Sequence, residues 1–318
     1  MALSNHELER SMILVMGVTG SGKSYFINKL AKGSVVEGHG VRSETSDCQI
    51  VQVAVGSDVV ALVDTPGFDD TQRSDSEILE QIVEFLCAQY KLGIPLKGII
   101  YMHRITDNKM SGSARRYLEM FTRLCGDRNL ENVVLLTTMW SELKDQGKGM
   151  ERERELRREF WDAMESRGSK IRKFDGTQSM ASALVHRLQR KPDIVLEIQE
   201  QLVDEGRQLD QTEAGKLMVP QIEVAIEKSE QKLRDLSKRG NLGVGRSRSE
   251  VKELEQQRGS LVEQRKRLQS RPGETISEKI EGQRKRDRMM SKLSIFGTVL
   301  GVALTMTVNV ILPLVGVI

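Results

Sequence analysis

Cysteine is scarce in this chain of 318 residues: Cys48, Cys87 and Cys125 are the full set, an odd number at spacings that suit no metal site. That excludes a disulfide framework and fits free thiols in a reducing compartment. Net charge is also slight, +3 from 48 basic and 45 acidic residues, too small a surplus to imply nucleic acid as a partner. Met1 to Arg10 is polar and lacks the apolar core of a secretory signal. Hydrophobic residues make up 38% and charged residues 29%, a globular composition tilted toward long exposed helices rather than a second large core. The length accommodates one ordinary domain and something more.

The informative stretch begins at Met12. A short apolar run, M-I-L-V-M, leads into G-V-T-G-S-G-K-S, Gly17 to Ser24, and then into the amphipathic Y-F-I-N-K-L. This is G-x-x-x-x-G-K-[ST] between a strand and a helix, the setting of a phosphate-binding loop. Glycines let backbone N–H groups converge on phosphate oxygens without a Cβ in the way, and the helix N-terminus adds donors and partial positive charge. Gly17, Val18, Thr19, Gly20, Ser21, Gly22, Lys23, Ser24 and Tyr25 are therefore the candidate nucleotide contacts. Lys23 is placed to reach the β- and γ-phosphates and Ser24 to hold Mg²⁺.

Lys32 to Asp47 is rich in Gly, Ser and Glu without a period and reads as a loop. Cys48 to Val55 then alternates, Val59 to Val63 is a second apolar run, and Gly56-Ser57-Asp58 joins them as a hairpin. D-T-P-G, Asp64 to Gly67, follows at once. A carboxylate ending a buried strand can hold Mg²⁺ through water, and a glycine N–H three residues on can bond the γ-phosphate and release it after hydrolysis. Asp69 and Asp70 either attract Mg²⁺ or are solvated loop residues.

Together the two motifs resemble the translation-factor-like class of P-loop GTPases. The fuller pattern G-V-T-G-S-G-K-S-Y-F-I-N, S-E-T-S-D-C-Q and V-D-T-P-G-F-D-D-T resembles the septin-related group, which includes the immunity-associated GTPases of plants and vertebrates and the chloroplast outer-envelope import GTPases. G-I-I-Y-M-H-R-I-T-D-N-K-M-S-G-S-A and N-V-V-L-L-T-T-M-W are similar to a set of fungal proteins of this type. The resemblance covers roughly Ser11 to Arg190 and implies GTP/GDP and Mg²⁺ as cofactors. It also implies that Thr45 is the switch threonine that closes on Mg²⁺ and the γ-phosphate; read from the residues alone, Thr45 is a loop hydroxyl.

Further along, Ser74-x-x-Glu77 is a capping box before a helix to about Tyr90. Leu96–Met102, Asn132–Thr137 and Lys170–Phe174 read as strands; Ser111–Cys125, Met150–Arg167 and Ser179–Gln189 read as helices. The alternation predicts an α/β fold, a three-layer P-loop GTPase domain over residues 11–190 with a mainly parallel sheet and one antiparallel edge strand. Two departures bear on function. Guanine recognition in this class uses N/T-K-x-D, but T-T-M-W, Thr137 to Trp140, stands there. Thr138 and Trp140 become the candidate base contacts: Trp140 stacks on the base, or Glu142 takes over the carboxylate role, or Trp140 packs against the last strand. The missing acid also keeps an ATP-binding protein open. Phe68 follows D-T-P-G where many small GTPases place a water-orienting Gln, so hydrolysis is expected to be slow or completed by a partner subunit. His103 and Arg104 end a strand on the ligand edge. Arg104 acts on phosphates, in cis or across a dimer, or both side chains fix the following loop. The catalytic candidates are thus Lys23, Thr45, Gly67 and Arg104, and the metal candidates are Ser24, Thr45 and Asp64.

From Pro192 on, Gln, Glu, Lys and Arg dominate. Ile222, Ile226, Ser229, Leu233 and Leu236 follow heptad-like spacing, as do Val251, Leu254, Leu261 and Leu268, with Arg258 and Arg265 in the seam. A dimeric coiled coil and a helical hairpin both fit residues 191–272. Residues 273–292 are a basic linker. Leu293 to Ile318 holds no charge; as one helix at 1.5 Å per residue it would reach about 39 Å, more than the ~30 Å hydrocarbon core. It reads as a transmembrane tail anchor, with residues 1–10 as a polar N-terminus and the nucleotide domain cytosolic. The expected partners are guanine nucleotide, a membrane and a second copy, through the nucleotide face or the stalk. The expected activity is a GTPase switch or nucleotide-dependent assembly; a weakly hydrolysing scaffold is the rival.

Overall fold

The computed structural model describes residues 11–35, 48–56, 58–69, 73–238, 246–286, 292–301 and 305–309. Thr45 and Asp70 lie outside them. The strands are β1 (Met12–Gly17), β2 (Gln49–Val55), β3 (Asp58–Asp64), β4 (Leu96–Arg104), β5 (Val133–Thr138), β6 (Lys170–Lys173) and β7 (Thr305–Asn309). The helices are α1 (Lys23–Leu30), α2 (Asp75–Lys91), α3 (Gly112–Cys125), α4 (Gln146–Leu156), α5 (Asp162–Ser166), α6 (Gln178–Gln189), α7 (Glu197–Gln199), α8 (Val219–Lys238), α9 (Arg246–Leu268), α10 (Pro272–Arg286) and α11 (Lys292–Leu300).

One seven-stranded sheet runs in the order β6-β5-β4-β1-β3-β2-β7. Every pairing is parallel except that of β2 with β3. Parallel strands need both faces covered, and β1 shows it: all six residues are buried, with Ile13 and Val15 facing Phe26, Ile27 and Val185, and Met12, Leu14 and Met16 facing the other core. The first core is closed by α1 and α6. The second contains α2, α3 and much of the C-terminal half.

The helices after Pro192 pack back on the sheet domain. Leu268, Ile276, Ile280 and Phe296 are buried in the same core as α2. Arg267 pairs with Glu80 at 2.9 Å, and the Tyr90 hydroxyl donates to Asp204 at 2.9 Å. Helices α8 and α9 lie antiparallel, since Arg265 near the end of α9 reaches Glu223 near the start of α8.

The transmembrane helix expected over Leu293 to Ile318 does not form among the described residues. Among the described residues no helix is long and apolar enough to cross a membrane. Helix α11 ends after nine residues at Leu300, and Gly301, with φ 67°, turns the chain in the left-handed region that glycine tolerates. Thr305–Asn309, with three β-branched residues, pairs with β2 as an edge strand. Phe296 is buried edge-on against Phe85, with centroids 4.9 Å apart. Of this stretch, Ile295 and Phe296 are buried within the protein. The basic Arg284-Lys285-Arg286 forms the last turn of α10, where positive charge complements the helix dipole. The fold therefore lacks the C-terminal transmembrane helix among its described residues. The single-pass tail anchor, and the cytosolic placement drawn from its basic flank, lose their support.

Candidate nucleotide-binding site

The phosphate loop leaves β1 at Gly17, where a Cβ would lie 2.4 Å from the Met102 carbonyl oxygen. Gly20 and Gly22 follow at φ 76° and 89°, conformations that carry the backbone round with its N–H groups inward. Lys23 opens α1, whose first turn holds no acidic side chain to compete for an anion. Its ammonium is buried and donates to the Gly17 and Val18 carbonyl oxygens at 3.2 and 3.1 Å. Burial lowers its pKa to about 8, with Asp64 opposing the shift.

Ser24 Oγ donates to Asp64 Oδ2 at 2.7 Å, with Asp64 fully buried at the end of β3. A hydroxyl beside a carboxylate is a hard-oxygen pair that suits Mg²⁺, which takes few protein ligands and completes its shell with water and phosphate oxygens. Among the described residues no group of three or more His, Cys, Asp or Glu could hold a metal by itself. The donor set thus fits Mg²⁺ carried by a nucleotide.

The D-T-P-G segment is seated directly on the phosphate loop. Thr65 Oγ1 donates to Val15 O at 2.9 Å. Thr19 N donates to Phe68 O at 2.9 Å, and Thr19 Oγ1 donates to Gly67 O at 3.2 Å. Phe68 itself turns inward: it is buried and stacked on Tyr117 with centroids 5.2 Å apart. The Tyr117 hydroxyl donates to the Asp75 carboxylate at 2.8 Å. Asp69 lies in the left-handed region at φ 66°.

On the other side of β1, Thr138 Oγ1 donates to Ser21 O at 2.9 Å and so ties the end of β5 to the phosphate loop. Arg104 pairs with Asp107 at 3.0 Å, and its guanidinium lies beside Gly20, where a Cβ would come within 3.0 Å of Nη1. His103 is buried edge-on to Trp161, and burial lowers its pKa. Trp140 is buried, donates from Nε1 to Thr137 Oγ1 at 3.0 Å, packs on Gly149, and carries the Lys173 ammonium 3.8 Å above its ring. Glu142 is exposed on the turn that follows. Tyr25, 42% exposed, meets Phe174 edge-on at 6.4 Å.

Sequence reasoning missed three residues here. Tyr117 holds Phe68 inward, Lys173 covers Trp140, and Arg152 donates to the Ile105 and Thr106 carbonyls and so fixes the loop after β4. None belongs to a motif. The one available signal was a basic residue at the end of a strand, Lys173.

The comparison with curated proteins finds no match. Among solved structures, Toc33 from Arabidopsis thaliana in complex with Mg²⁺ and GMPPNP is 17% identical, over 60% of this chain and 90% of that one, with a TM-score of 0.47. A structure of the chloroplast translocon components atToc33 and psToc159, in which dimerization is important for GTPase activity, is 16% identical over 60% and 88% of the two chains, with a TM-score of 0.48. The elongation factor SelB from Methanococcus maripaludis with GppNHp is 10% identical over 59% of this chain and 35% of that one, with a TM-score of 0.41. Residues 11–169, half of the chain and the segment that carries the phosphate loop and the D-T-P-G contact, match the AIG1 family, and the chain belongs to that family.

Proposed function

We propose that this protein binds GTP and GDP with Mg²⁺, hydrolyses GTP slowly, and works as a nucleotide-dependent switch or assembly unit. The observation that carries the reading is the meeting of the two motifs: Ser24 bonded to Asp64, and Thr19 bonded to Gly67 and Phe68. Lys23 and the N–H groups of the loop hold the phosphates. Ser24 and Asp64 would hold Mg²⁺, which supplies charge neutralisation between the β- and γ-phosphates. Gly67 senses the γ-phosphate from its seat on Thr19. Thr45 closing the site, and kinship with septins and the fungal set, rest on the motif residues alone. The choice of guanine follows from membership of the family. Calorimetry with GDP and ADP tests it: GDP is expected to bind more tightly, and equal affinities or a preference for ADP would sink it.

Phe68 favours the rival scaffold that scarcely hydrolyses its nucleotide. Its ring is buried on Tyr117, so that position places no side chain beside an attacking water. Activity then depends on completion of the site by a second copy across the nucleotide face. Arg104, about a third exposed beside Gly20, is the first residue to test. Turnover per molecule is expected to rise with protein concentration. Arg104→Ala should lower the rate at high concentration by at least ~10-fold, because a phosphate-facing arginine stabilises charge in the transition state. Flat specific activity over a hundredfold dilution series would remove the dimer and leave the scaffold.

A further inference from the structure

A cavity of about 190 Å³ opens between the start of α2, α3 and the α8–α9 hairpin. An apolar cavity of about 150 Å³ admits benzene, so this volume suits a molecule of one ring and a short arm. Its apolar wall is Met120 of α3, Leu217 and Met218 just before α8, Ile222 in the first turn of α8, and Leu261 of α9. Four of these five lie beyond Pro192, so the cavity exists because the hairpin packs back on the sheet domain. It touches the support of the D-T-P-G segment at one residue: Tyr117 lines the cavity and stacks on Phe68.

Among the described residues, Asp75 and Arg116 are the charged side chains that line it. They stand differently. Arg116 is exposed, and its guanidinium lies back along α3, where a Cβ on Gly112 would be 3.7 Å from Nη1. Asp75 is half-buried and accepts from the Tyr117 hydroxyl at 2.9 and 2.8 Å through its two oxygens. It also accepts from the Asp69 backbone N–H. Burial raises its pKa, against the bonds from Tyr117 and Asp69, and a carboxylate short of water gains by meeting a cation. Charge and wall together describe a ligand: a cationic head for Asp75 and an apolar body for the methionine and leucine side. The same carboxylate holds the residues beside Gly67, directly at Asp69 N and through Tyr117 at Phe68. An ionised acceptor makes the stronger bonds, so a cation that keeps Asp75 ionised tightens that hold.

We propose that this cavity binds a small organic amine, one ring or branched apolar group carrying one ammonium, and that its occupancy is linked to the bound nucleotide through Asp75 and Tyr117. The binding site stands apart from the guanine-nucleotide reading above; the link rests on it. A γ-phosphate held at Gly67 fixes Phe68 and Asp69, and with them the partners that orient Asp75. The nucleoside triphosphate form is therefore the one that receives the amine more tightly, and by reciprocity the amine favours that form.

Calorimetry of the full chain tests this with phenethylamine as the probe, and with 2-phenylethanol and 3-phenylpropionate as neutral and anionic molecules of similar size. The amine is expected to bind saturably at one site, about 10-fold or more tightly than either control, as a charge-assisted bond requires. Asp75→Asn keeps an oxygen for the Tyr117 hydroxyl and should bring the amine down to the affinity of the alcohol. Leu261→Trp fills the cavity from a half-buried position and should abolish binding; thermal melting checks that each variant folds, and this one decides the matter where Asp75→Asn does not fold. The chain loaded with GMPPNP should bind the amine at least about fivefold more tightly than the chain loaded with GDP. No saturable binding, controls that bind as well as the amine, or binding that survives Leu261→Trp overturns the site. Equal amine affinity in the two loaded forms overturns the link. A chain that binds the amine but neither nucleotide overturns the guanine reading and the link with it, while the site stands.

Discussion

Lys23→Ala is expected to lose most nucleotide binding, by roughly 30- to several-thousandfold, as when one partner of a buried, hydrogen-bonded charge pair is removed. Its ammonium is the buried cation of the loop and, among the described residues, donates to the Gly17 and Val18 carbonyls, so the fold should survive its loss. The same residue sets a pH dependence. Burial brings its pKa from 10.5 to about 8 in the folded chain. Between those values the folded chain carries fewer protons than the unfolded one. The penalty for burying the ammonium is therefore full below pH 8 and is relieved as pH rises toward 10.5, so the free protein gains stability across that window. Nucleotide binding has the opposite sign: phosphates need the ammonium, binding takes up a proton above pH 8, and affinity falls there. Calorimetry of GDP binding at about pH 7 and about pH 9, with wild type and variant, measures both effects. If Lys23→Ala folds and binds GDP like the wild type, the phosphate site is misplaced.

Gly67→Ala is expected to lower single-turnover GTP hydrolysis by about 100-fold, the cost of moving a positioning group by roughly an ångström. A Cβ on Gly67 would lie 2.6 Å from Thr19 N and Thr19 Oγ1 and 2.7 Å from Thr19 Cα. Backbone atoms cannot swing aside as a side-chain tip can, so either D-T-P-G or the phosphate loop must shift. The α- and β-phosphates keep Lys23, Gly20 and the start of α1, and GDP affinity should stay within about threefold, because those contacts are made whether or not a γ-phosphate is present. Hydrolysis within twofold of wild type would show that the seat on Thr19 plays no part in sensing the γ-phosphate.

Lys23 and Gly67 are legible in the sequence because phosphate binding here is a local backbone device. Glycine permissiveness, a helix N-terminus and one lysine within eight positions are all sequence-near, and the buried strands that flank them show as apolar runs. The Ser24–Asp64 bond, forty positions apart, follows from the same logic, since parallel neighbours β1 and β3 bring their ends together. The base edge is less legible. In the sequence Trp140 reads equally as stacking or packing, and only the fold shows its contacts with Gly149, Lys173 and Thr137.

The sequence by itself determined the phosphate loop, the Asp64–Gly67 segment, the alternation that builds the parallel sheet and the absence of an acid in T-T-M-W. Those are properties of short segments, decided by backbone permissiveness and side-chain period. Tertiary structure alone decided the direction of Phe68, which Tyr117 draws into the core, and the course of the described part of the uncharged C-terminal stretch, residues 293–301 and 305–309. Apolar residues gain from leaving water whether lipid or protein receives them, and hydropathy cannot tell the two apart. Helix α2 offered Phe85 to Phe296, Gly301 turned the chain, and the open edge of β2 accepted Thr305–Asn309. Each of these depends on partners far away along the chain or on a backbone turn that a residue count does not register.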